Sequence, residues 1–293
     1  MISPADPHPP TATEPEPTTE AERFLLGFHR RHAGVTTRAF AGGRDAQGRS
    51  SYDLLCATVT GRDSQILDLG CGDGYLLEQL VHAGHPVQRL LGVDMSASEL
   101  RAARARSALA DVPLLCERAQ SLSLGDRSID HVLSHLAFML MDDVEQVVGE
   151  IARILRPGGR FATVVGGGPK LGDAFELFLD LLQPVYDQQT ERIPRLGDRR
   201  TRSDAGLAEL FHPGTGFAHE LSIRDYPISL SGPFEQVWTT LSTIYELQVV
   251  PAERVAGLRE RFQEGARTHL EGDVVRCTMA VRLVVCERLP DAR

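Results

Sequence analysis

Short apolar runs alternate with amphipathic stretches through the middle of the chain. Short apolar runs bounded by Gly, Pro and polar residues are typical of buried strands, and apolar residues spaced by three and four predict helices. The alternation predicts an α/β fold with a mainly parallel sheet covered by helices on both faces. The predicted strands are 65–69, 87–93, 112–116, 129–134 and 160–165, and the predicted helices between them are 75–83, 97–109 and 143–155.

The alternation breaks after Gly166. Because five strands precede this point, we expect the later helices to form a cap at the carboxyl edge of the sheet, where ligands bind in such folds. The predicted fold is therefore a doubly wound, Rossmann-like, mainly parallel α/β sheet with a helical cap inserted late in the chain. The later predicted helices are 173–186, 203–211, 233–247 and 251–270, and the later predicted strands are 221–229 and 274–287.

Two different segments precede the predicted sheet. The many prolines of residues 1–20 and the scarcity of apolar residues there predict a disordered tail, because such a composition buries too little apolar surface to offset chain entropy. Helices are predicted at 20–32 and 50–59, the second capped by Ser50 or Ser51. We expect these helices to cover a ligand site.

The whole chain divides into seven segments on this pattern. They are the tail 1–20, the N-terminal helices 21–62, the α/β core 63–167, the cap insertion 168–220, a core strand in 221–232, a second cap segment 233–272 and the final strand with the C-terminus in 273–293.

Charge and composition exclude several classes of function. With 31 basic and 40 acidic residues the formal charge is -9, which argues against nucleic acid as a partner. No apolar run approaches the roughly 18 residues of a membrane span, and the first residues lack the features of a secretory signal, so we expect a cytoplasmic chain that does not bind membranes. The five cysteines form no C-x-x-C pair, so neither a zinc ribbon nor a disulfide framework is predicted.

The most informative segment is 66–75, where a buried strand leads directly into Gly70, Gly72 and Gly74 and then into a helix. Glycines at such a turn let the backbone approach a ligand closely. The dinucleotide pattern G-x-G-x-x-G fails because Tyr75 occupies the sixth position. The turn therefore predicts a ligand site but does not match the dinucleotide pattern.

Carboxylates around this turn narrow the ligand further. Asp68 and Asp73 flank the turn and would repel the pyrophosphate that a helix start normally attracts, so a cationic or zwitterionic ligand is favoured. Asp94 ends the second predicted strand, where its carboxylate can accept hydrogen bonds from both hydroxyls of a ribose. The sequence therefore favours an adenosine-like ligand without phosphate.

These features resemble the class I S-adenosylmethionine-dependent methyltransferases over residues 50–165. The resemblance rests on four segments in order: Asp68-x-Gly70-x-Gly72-x-Gly74, Asp94, residues 119–130 and Leu155-Arg-Pro-Gly-Gly159. It implies S-adenosyl-L-methionine as the cofactor, with the ribose on Asp94, adenine on Met95 and the adenine edge along Ala119 and Gln120. The full set of cofactor-binding residues that it implies is Asp68, Gly70, Cys71, Gly72, Asp94, Met95, Ala119, Gln120 and Ser134.

One position departs from the family pattern. Family members often place an Asp where this chain has Arg118, and an arginine cannot accept the adenine amino proton. Backbone carbonyls or the side-chain oxygen of Gln120 must serve at that edge instead.

Two further segments, 49–53 and 134–141, are similar to a narrower group of bacterial C-methyltransferases that act beside the keto group of 2-oxo acids. This likeness implies a cation for the substrate carboxylate and a base or metal that favours the enol. His135 is the predicted catalytic residue, and Tyr52, His135 and Arg49 are the predicted substrate-binding residues. His212, His219 and His269 lack the i, i+4 spacing of a helical metal site, so each is expected at the surface or in packing. A divalent metal stays open because an enzyme of 2-oxo acids could bring distant ligands together.

Other residues keep two interpretations. Arg195, Arg199, Arg200, Arg202 and Arg224 are either solvated or alternatives to Arg49 at a substrate carboxylate. Phe234, Trp238 and Tyr245 are expected to pack in the core of the cap.

The predicted function is S-adenosylmethionine-dependent methyl transfer to a small molecule, by C-methylation of a 2-oxo acid. The alternatives are O- or N-methylation of a phenolic or amine natural-product intermediate, and a non-catalytic protein that binds the cofactor and serves as a partner. The expected substrate is a small molecule, and a homodimer is left open as the assembly.

Overall fold

The computed structural model describes residues 14–290, so most of the predicted tail lies outside the described residues. Its main feature is a seven-stranded sheet in which β1 occupies a central position. The nine strands of residues 14–290, seven of them in this sheet, are β1 (Ile66–Leu69), β2 (Leu90–Asp94), β3 (Leu114–Cys116), β4 (Ile129–His135), β5 (Leu155–Gly166), β6 (Ser222–Ser229), β7 (Leu270–Glu271), β8 (Val274–Val275) and β9 (Thr278–Glu287).

The sheet has the order β3-β2-β1-β4-β5-β9-β6, and β7 and β8 form a separate short hairpin. The pairings from β3 through β5 are parallel, whereas β9 runs antiparallel to both β5 and β6. The order reverses beside β1, which is the position where ligands bind in such sheets. The predicted doubly wound, mainly parallel fold is confirmed.

Ten α-helices accompany this sheet within residues 14–290. They are α1 (Glu20–Arg31), α2 (Val35–Phe40), α3 (Ser51–Cys56), α4 (Tyr75–His82), α5 (Ala97–Arg104), α6 (Val144–Ile154), α7 (Ala174–Asp187), α8 (Asp204–Leu210), α9 (Phe234–Leu241) and α10 (Ala252–Ala266).

Alternating side chains of β1 pack into two hydrophobic cores. Ile66 belongs to a core shared with α3, α4, α7, α9 and α10, while Leu67 and Leu69 belong to a core shared with α6 and α8. The strand is buried along its whole length, as expected of a central parallel strand covered on both faces. The late helices predicted as one cap are thus divided between these two cores.

Several boundaries differ from the sequence prediction. The short helix α2 was not predicted; its Thr-Thr-Arg sequence lacks a long apolar period, and Gly34 turns the chain into it with a φ of 72°. The predicted helix 233–247 stops at Leu241, where the hydroxyls of Ser242 and Thr243 donate to helix carbonyls and compete with helical hydrogen bonding.

Residues at the end of the predicted tail make defined contacts with the rest of the structure. Thr18 hydrogen-bonds to Glu22, and the Thr19 hydroxyl donates to Asp142 at 2.5 Å, beyond the end of β4. Likewise, the predicted strand 274–287 is interrupted, because Val275 pairs with Gly232 in a bridge before β9 begins at Thr278.

Within residues 14–290, none of the helices combines the length and apolar character that a bilayer crossing requires.

Candidate functional site

A cavity opens at the carboxyl edge of β1, β2 and β4, beneath the N-terminal helices. We call it the central cavity; its wall includes Leu25 of α1, Asp68, Asp94, His135 and Tyr245. The residues come from segments that are far apart in sequence and meet where the strand order reverses. This is the edge at which the sequence predicted a ligand.

The glycine turn after β1 forms the floor of the central cavity. The amides of Gly70 and Cys71 both donate to the carbonyl of Val93, at 2.8 and 3.0 Å, which ties the turn to the end of β2. Gly70 has a φ of 73°, and a Cβ there would lie 2.5 Å from the Cβ of Ala137. Glycine is required at this position by close packing against Ala137 as well as by its conformation.

Asp68 is a buried acid in the wall of the central cavity. It lies on β1 and is 1% exposed, and neither of its oxygens has a hydrogen-bond partner among residues 14–290. Burial raises the pKa of this carboxyl well above its usual range, and the nearby carboxylates of Asp94 and Asp73 raise it further. A buried acid in the wall of a cavity without a partner is suited to receive a cationic or hydrogen-bond-donating ligand group.

Asp94 ends β2 and faces the same cavity. Its two oxygens accept hydrogen bonds from the amides of Gly72 and Ser96, each at 2.8 Å. Burial raises the pKa of this carboxyl, and the two amide hydrogen bonds oppose that rise. Because each carboxylate oxygen can accept a second hydrogen bond, Asp94 retains capacity for the hydroxyl groups of a ligand.

His135 and Tyr52 form another side of the wall. Their rings stack with centroids 3.7 Å apart, and Tyr75 meets the Tyr52 ring edge-on at 4.8 Å. The Nε2 atom of His135 lies 2.8 Å from the Ser51 hydroxyl, whereas Nδ1 is buried and has no partner among the described residues. Burial lowers the pKa of His135 to about 3, so the imidazole is neutral at neutral pH.

The residue after His135 has an unusual backbone conformation. Leu136 has a φ of 52°, a left-handed conformation that is uncommon for a leucine, and it also lines the central cavity. Such conformations cost about 1–3 kcal/mol and cluster at functional sites. The turn at Leu136 brings the segment after β4 under the N-terminal helices.

Polar contacts hold α1 over the central cavity. Glu22 pairs with Arg118 at 2.6 Å, and His29 Nδ1 lies 2.7 Å from Glu99. The ring of His29 also reaches the Tyr245 hydroxyl, at 3.3 Å. Burial alone would raise the pKa of Glu22, but the Arg118 guanidinium and Thr18 lower it, so this carboxylate stays ionised.

Arg118 therefore has a defined partner at the position where it departs from the family pattern. Its guanidinium binds Glu22 of α1, which itself lines the cavity near Met95, Ala119 and Gln120. The Gln120 side chain donates its amide to the carbonyl of Asp142 at 2.7 Å. The acidic group missing at position 118 is thus present nearby on α1.

Most of the predicted site residues come together in the cavity wall. Those that line it are Asp68, Gly70, Cys71, Gly72, Asp94, Met95, Ala119, Gln120, Tyr52 and His135. Ser134 does not line it, because it is fully buried and its hydroxyl accepts a hydrogen bond from the Phe138 amide at 3.2 Å. Arg49 also lies outside the wall, held by Asp45 and positioned 5.5 Å from the centre of the Tyr226 ring.

The other candidate residues differ in whether they line the central cavity. Arg200 is occupied by ion pairs with Asp198, Glu145 and Glu209. The rings of Phe234 and Trp238 pack against Phe262 as predicted for the cap core, whereas Tyr245 lines the central cavity instead.

Four residues of the site were not predicted from the sequence: Glu22, His29, Glu99 and Tyr245. A signal for the first two was present: Glu22, Leu25, Leu26 and His29 follow the i, i+3, i+4, i+7 spacing of one helix face, so an acid and a histidine lie on the apolar side. No comparable local signal existed for Glu99 or Tyr245, whose roles depend on how distant segments dock.

A metal centre has no support from side-chain geometry in the described part of the chain. Among residues 14–290, no three His, Cys, Asp or Glu side chains are grouped closely enough to hold an ion. His212 instead accepts the amide of Gly214 through Nδ1.

Comparisons with known proteins agree with this geometry. The model of a methyltransferase domain family matches residues 67–163. The malonyl-[acyl-carrier protein] O-methyltransferase of Methylococcus capsulatus is 34% identical over 111 residues, covering 38% of this chain and 40% of that protein. An arsenite methyltransferase of Aquipseudomonas alcaligenes is 40% identical over 108 residues, covering 32% of this chain and 30% of that protein.

The chain thus spans less than half the length of these two relatives. A solved structure, that of the [4+2]-cyclase SpnF, superimposes with a TM-score of 0.56 at 18% identity, covering 95% of this chain and 99% of that one, which shows a shared fold alone. Residues 67–163 thus match a methyltransferase domain, and the relatives and the sheet order agree with the class I S-adenosylmethionine-dependent methyltransferase fold.

Proposed function

We propose that the chain binds S-adenosylmethionine in the central cavity and transfers its methyl group to a small molecule. The observation that carries the proposal is Asp68, whose buried carboxylate lines the cavity without a partner among the described residues. A zwitterionic ligand with an ammonium group would supply that partner. Pyrophosphate would instead bring negative charge to a wall that already holds Asp68, Asp73 and Asp94.

The residues present fit such a ligand along the cavity. Asp68 would hold the ammonium group, and Asp94 would accept from the ribose hydroxyls while keeping its bonds to Gly72 and Ser96. Met95, Ala119 and Gln120 would contact the adenine. When bound, S-adenosylmethionine supplies a methyl group that its sulfonium has already activated. The protein's task is then to align an acceptor and exclude water.

The N-terminal helices are suited to exclude water. Leu25 and Leu26 of α1 and Tyr52 of α3 place apolar surface on the cavity wall, and the Glu22 and His29 contacts hold α1 in place. A dry wall strengthens the electrostatic contacts made inside it.

The charge of the wall guides the choice of acceptor. It includes the acidic residues Glu22, Asp68, Asp73, Asp94, Glu99, Glu117 and Asp142, and no lysine or arginine among residues 14–290 lines it. Two of these acids, Glu22 and Asp73, are paired with arginines outside the wall. A 2-oxo acid needs a cation for its carboxylate, and Arg49 lies outside the wall. The charge therefore favours O- or N-methylation of an acceptor without an acidic group, while C-methylation of a 2-oxo acid stays a prediction that needs a cation from elsewhere.

Calorimetric titration tests cofactor binding. We expect S-adenosylmethionine and S-adenosylhomocysteine to bind the wild-type chain, NAD not to bind, and Asp94→Ala to lose measurable affinity because it removes both ribose contacts. Glu260→Gln, which alters an exposed acid on α10, is the matched control and should bind normally. Binding of NAD in place of S-adenosylmethionine, or unchanged affinity in Asp94→Ala, would contradict the proposal.

Methyl transfer is tested with a panel of phenols, amines and 2-oxo acids, incubated with methyl-labelled cofactor with and without chelator and followed by mass spectrometry. We expect label in a phenol or amine, unaffected by chelator. Label confined to 2-oxo acids and lost with chelator would establish C-methylation instead. Cofactor binding with no transfer to any acceptor, together with a stable protein complex, would point to the non-catalytic alternative.

A further inference from the structure

We propose that the Tyr245 hydroxyl binds a ribose hydroxyl of the cofactor in addition to Asp94, and that Glu99 and His29 position Tyr245 for this contact. The inference rests on the proposed function and deepens it, because it assigns a further cofactor-binding residue and two positioning residues.

Three elements bring these groups to one end of the central cavity. Glu99 lies in the first turn of α5, His29 lies in the last turn of α1, and Tyr245 begins a short 3₁₀ helix, Tyr245–Val249. All three line the cavity, as Asp94 does at the end of β2. Burial raises the pKa of the Tyr245 hydroxyl, and the nearby carboxylates of Glu99 and Asp94 raise it further. The tyrosine therefore lies close to the acid that is expected to hold the ribose.

A chain of polar contacts leads from Glu99 to Tyr245. Glu99 is 3% exposed, and its Oε2 atom accepts the amide of Gly34 at 2.9 Å. His29 Nδ1 lies 2.7 Å from Glu99 Oε1, and His29 Nε2 lies 3.3 Å from the Tyr245 hydroxyl. Because a carboxylate only accepts hydrogen bonds, Nδ1 donates to Glu99 and Nε2 is turned towards Tyr245. The buried acid thus orients the imidazole that contacts the tyrosine.

Aromatic contacts fix the direction of the Tyr245 side chain. Its ring meets Phe28 edge-on, with centroids 4.7 Å apart, and meets Phe24 in the same way at 6.0 Å. Both phenylalanines belong to α1, which also carries His29. The helix that covers the cavity therefore holds both the ring and the hydroxyl of Tyr245.

The Tyr245 hydroxyl keeps hydrogen-bonding capacity after its contact with His29. Its raised pKa keeps it protonated at neutral pH, so it has one donor and two acceptor positions. Among residues 14–290, His29 is its one hydrogen-bond partner. If the hydroxyl donates to Nε2 it can still accept from a ligand hydroxyl, and if it accepts from Nε2 it can donate to one. Both arrangements suit a ligand that carries hydroxyl groups.

A ribose supplies such groups at the end of β2. Asp94 accepts the amides of Gly72 and Ser96, and its remaining lone pairs can accept hydroxyl protons. A hydroxyl that donates to Asp94 keeps its own lone pairs, which lose their water partners when the cavity is closed. Tyr245 is a neutral group that can replace one of those waters. We therefore expect the cofactor's affinity to depend on Tyr245 through a ribose hydroxyl.

The 2′-deoxy and 3′-deoxy forms of S-adenosylhomocysteine test this contact by calorimetry. We expect the wild-type chain to bind each deoxy form at least 10-fold more weakly than S-adenosylhomocysteine. Tyr245→Phe keeps the ring and should bind S-adenosylhomocysteine about 10-fold more weakly, and its discrimination against one of the deoxy forms should be several-fold smaller. Equal binding of all three ligands to the wild-type chain, or unchanged discrimination in Tyr245→Phe, would overturn the proposal.

Tyr226→Phe is the matched control for this experiment. It removes the hydroxyl of a tyrosine on β6 that lies outside the cavity wall, and it should bind all three ligands as the wild type does.

Glu99→Gln separates positioning from a general effect on the fold. The amide has nearly the same shape but removes the charge that holds His29 Nδ1. We expect about a 10-fold loss of affinity for S-adenosylhomocysteine and a smaller loss for the deoxy form that lacks the contacted hydroxyl. A loss of the same size for all three ligands, or no loss, would overturn the positioning role. Glu260→Gln is again the control.

Failure of the proposed function would give a different result. A wild-type chain that binds neither S-adenosylmethionine nor S-adenosylhomocysteine would refute the proposed function and this inference with it. Normal binding to the wild-type chain, with the same affinities and discrimination in Tyr245→Phe, would overturn the Tyr245 contact alone.

Discussion

At the scale of single residues, Asp68 lowers the stability of the cofactor-free protein and is also expected to bind the ligand. A carboxylate that is buried without a partner destabilises the fold, and its raised pKa means that this destabilisation grows as the pH rises above the ordinary value of 3.8. A cationic ligand group would supply the partner that Asp68 lacks among residues 14–290.

Asp68→Asn should therefore stabilise the cofactor-free chain and weaken cofactor binding. We expect a gain of about 1–3 kcal/mol in the free energy of unfolding at pH 8, shrinking as the pH falls towards 4, because the amide removes a buried charge. Urea unfolding at several pH values measures the gain, and calorimetry should show at least a 10-fold loss of affinity. A variant less stable than the wild type at pH 8 would contradict this account.

His135 should change the pH dependence of folding stability in the opposite direction. Its pKa is about 3 in the fold and near 6.5 in the unfolded chain, so protons bind the unfolded chain first as the pH falls. Stability should therefore decline below pH 6.5 by up to about 1.4 kcal/mol per pH unit from this group.

His135→Gln removes that contribution. Urea unfolding at pH 7, 6 and 5 should show a steeper loss for the wild type than for the variant, and parallel curves would show that the imidazole is not buried in its neutral form.

At the scale of elements, ion pairs with distant residues hold α1 in position. Glu22 and Arg118 are 96 positions apart, and their side chains are 6% and 18% exposed. A partly buried, hydrogen-bonded pair is costly to break from one side, because the remaining charge stays without its partner.

A double-mutant cycle with Glu22→Gln and Arg118→Gln should give a coupling energy of about 1–3 kcal/mol in urea unfolding. We also expect faster dissociation of S-adenosylmethionine from the Glu22→Gln variant, measured by stopped-flow fluorescence. Glu20→Gln, an exposed acid in the first turn of the same helix, is the control. Additive single effects would show that the pair does not hold α1.

The elements also show which parts of the structure could be predicted from the sequence. The strands β1, β2 and β4 and the helices α4 and α6 were predictable because burial imposes a clear apolar period on each. The glycine turn and Asp94 were predictable because they adjoin those strands directly. The Glu22–Arg118 pair and the Tyr245 contact were not, since they depend on how α1 docks, and no local pattern records that.

At the scale of the whole molecule, the central cavity gathers α1, α3, the β1 turn and the segment containing Tyr245. A ligand bound there contacts distant parts of the chain at once, so its binding energy should stabilise the fold as a whole. With S-adenosylmethionine at about 100 times its Kd, linkage predicts about 2.7 kcal/mol of stabilisation.

For a chain of this size that energy corresponds to a rise in Tm of about 5 °C. Differential scanning calorimetry should show a single unfolding transition whose Tm rises with S-adenosylmethionine and stays unchanged with NAD. A split transition would mean that the late helices unfold separately from the cavity.

The contact between His29 and Tyr245 has a consequence for how the protein is made. The two residues are 216 positions apart, so a nascent chain emerging from the ribosome carries an incomplete binding site until Tyr245 has been translated. Cofactor present in the cell can therefore stabilise the folded site only after that residue has emerged, and a prematurely terminated product ending before Tyr245 would retain the sheet's first strands without a closed site.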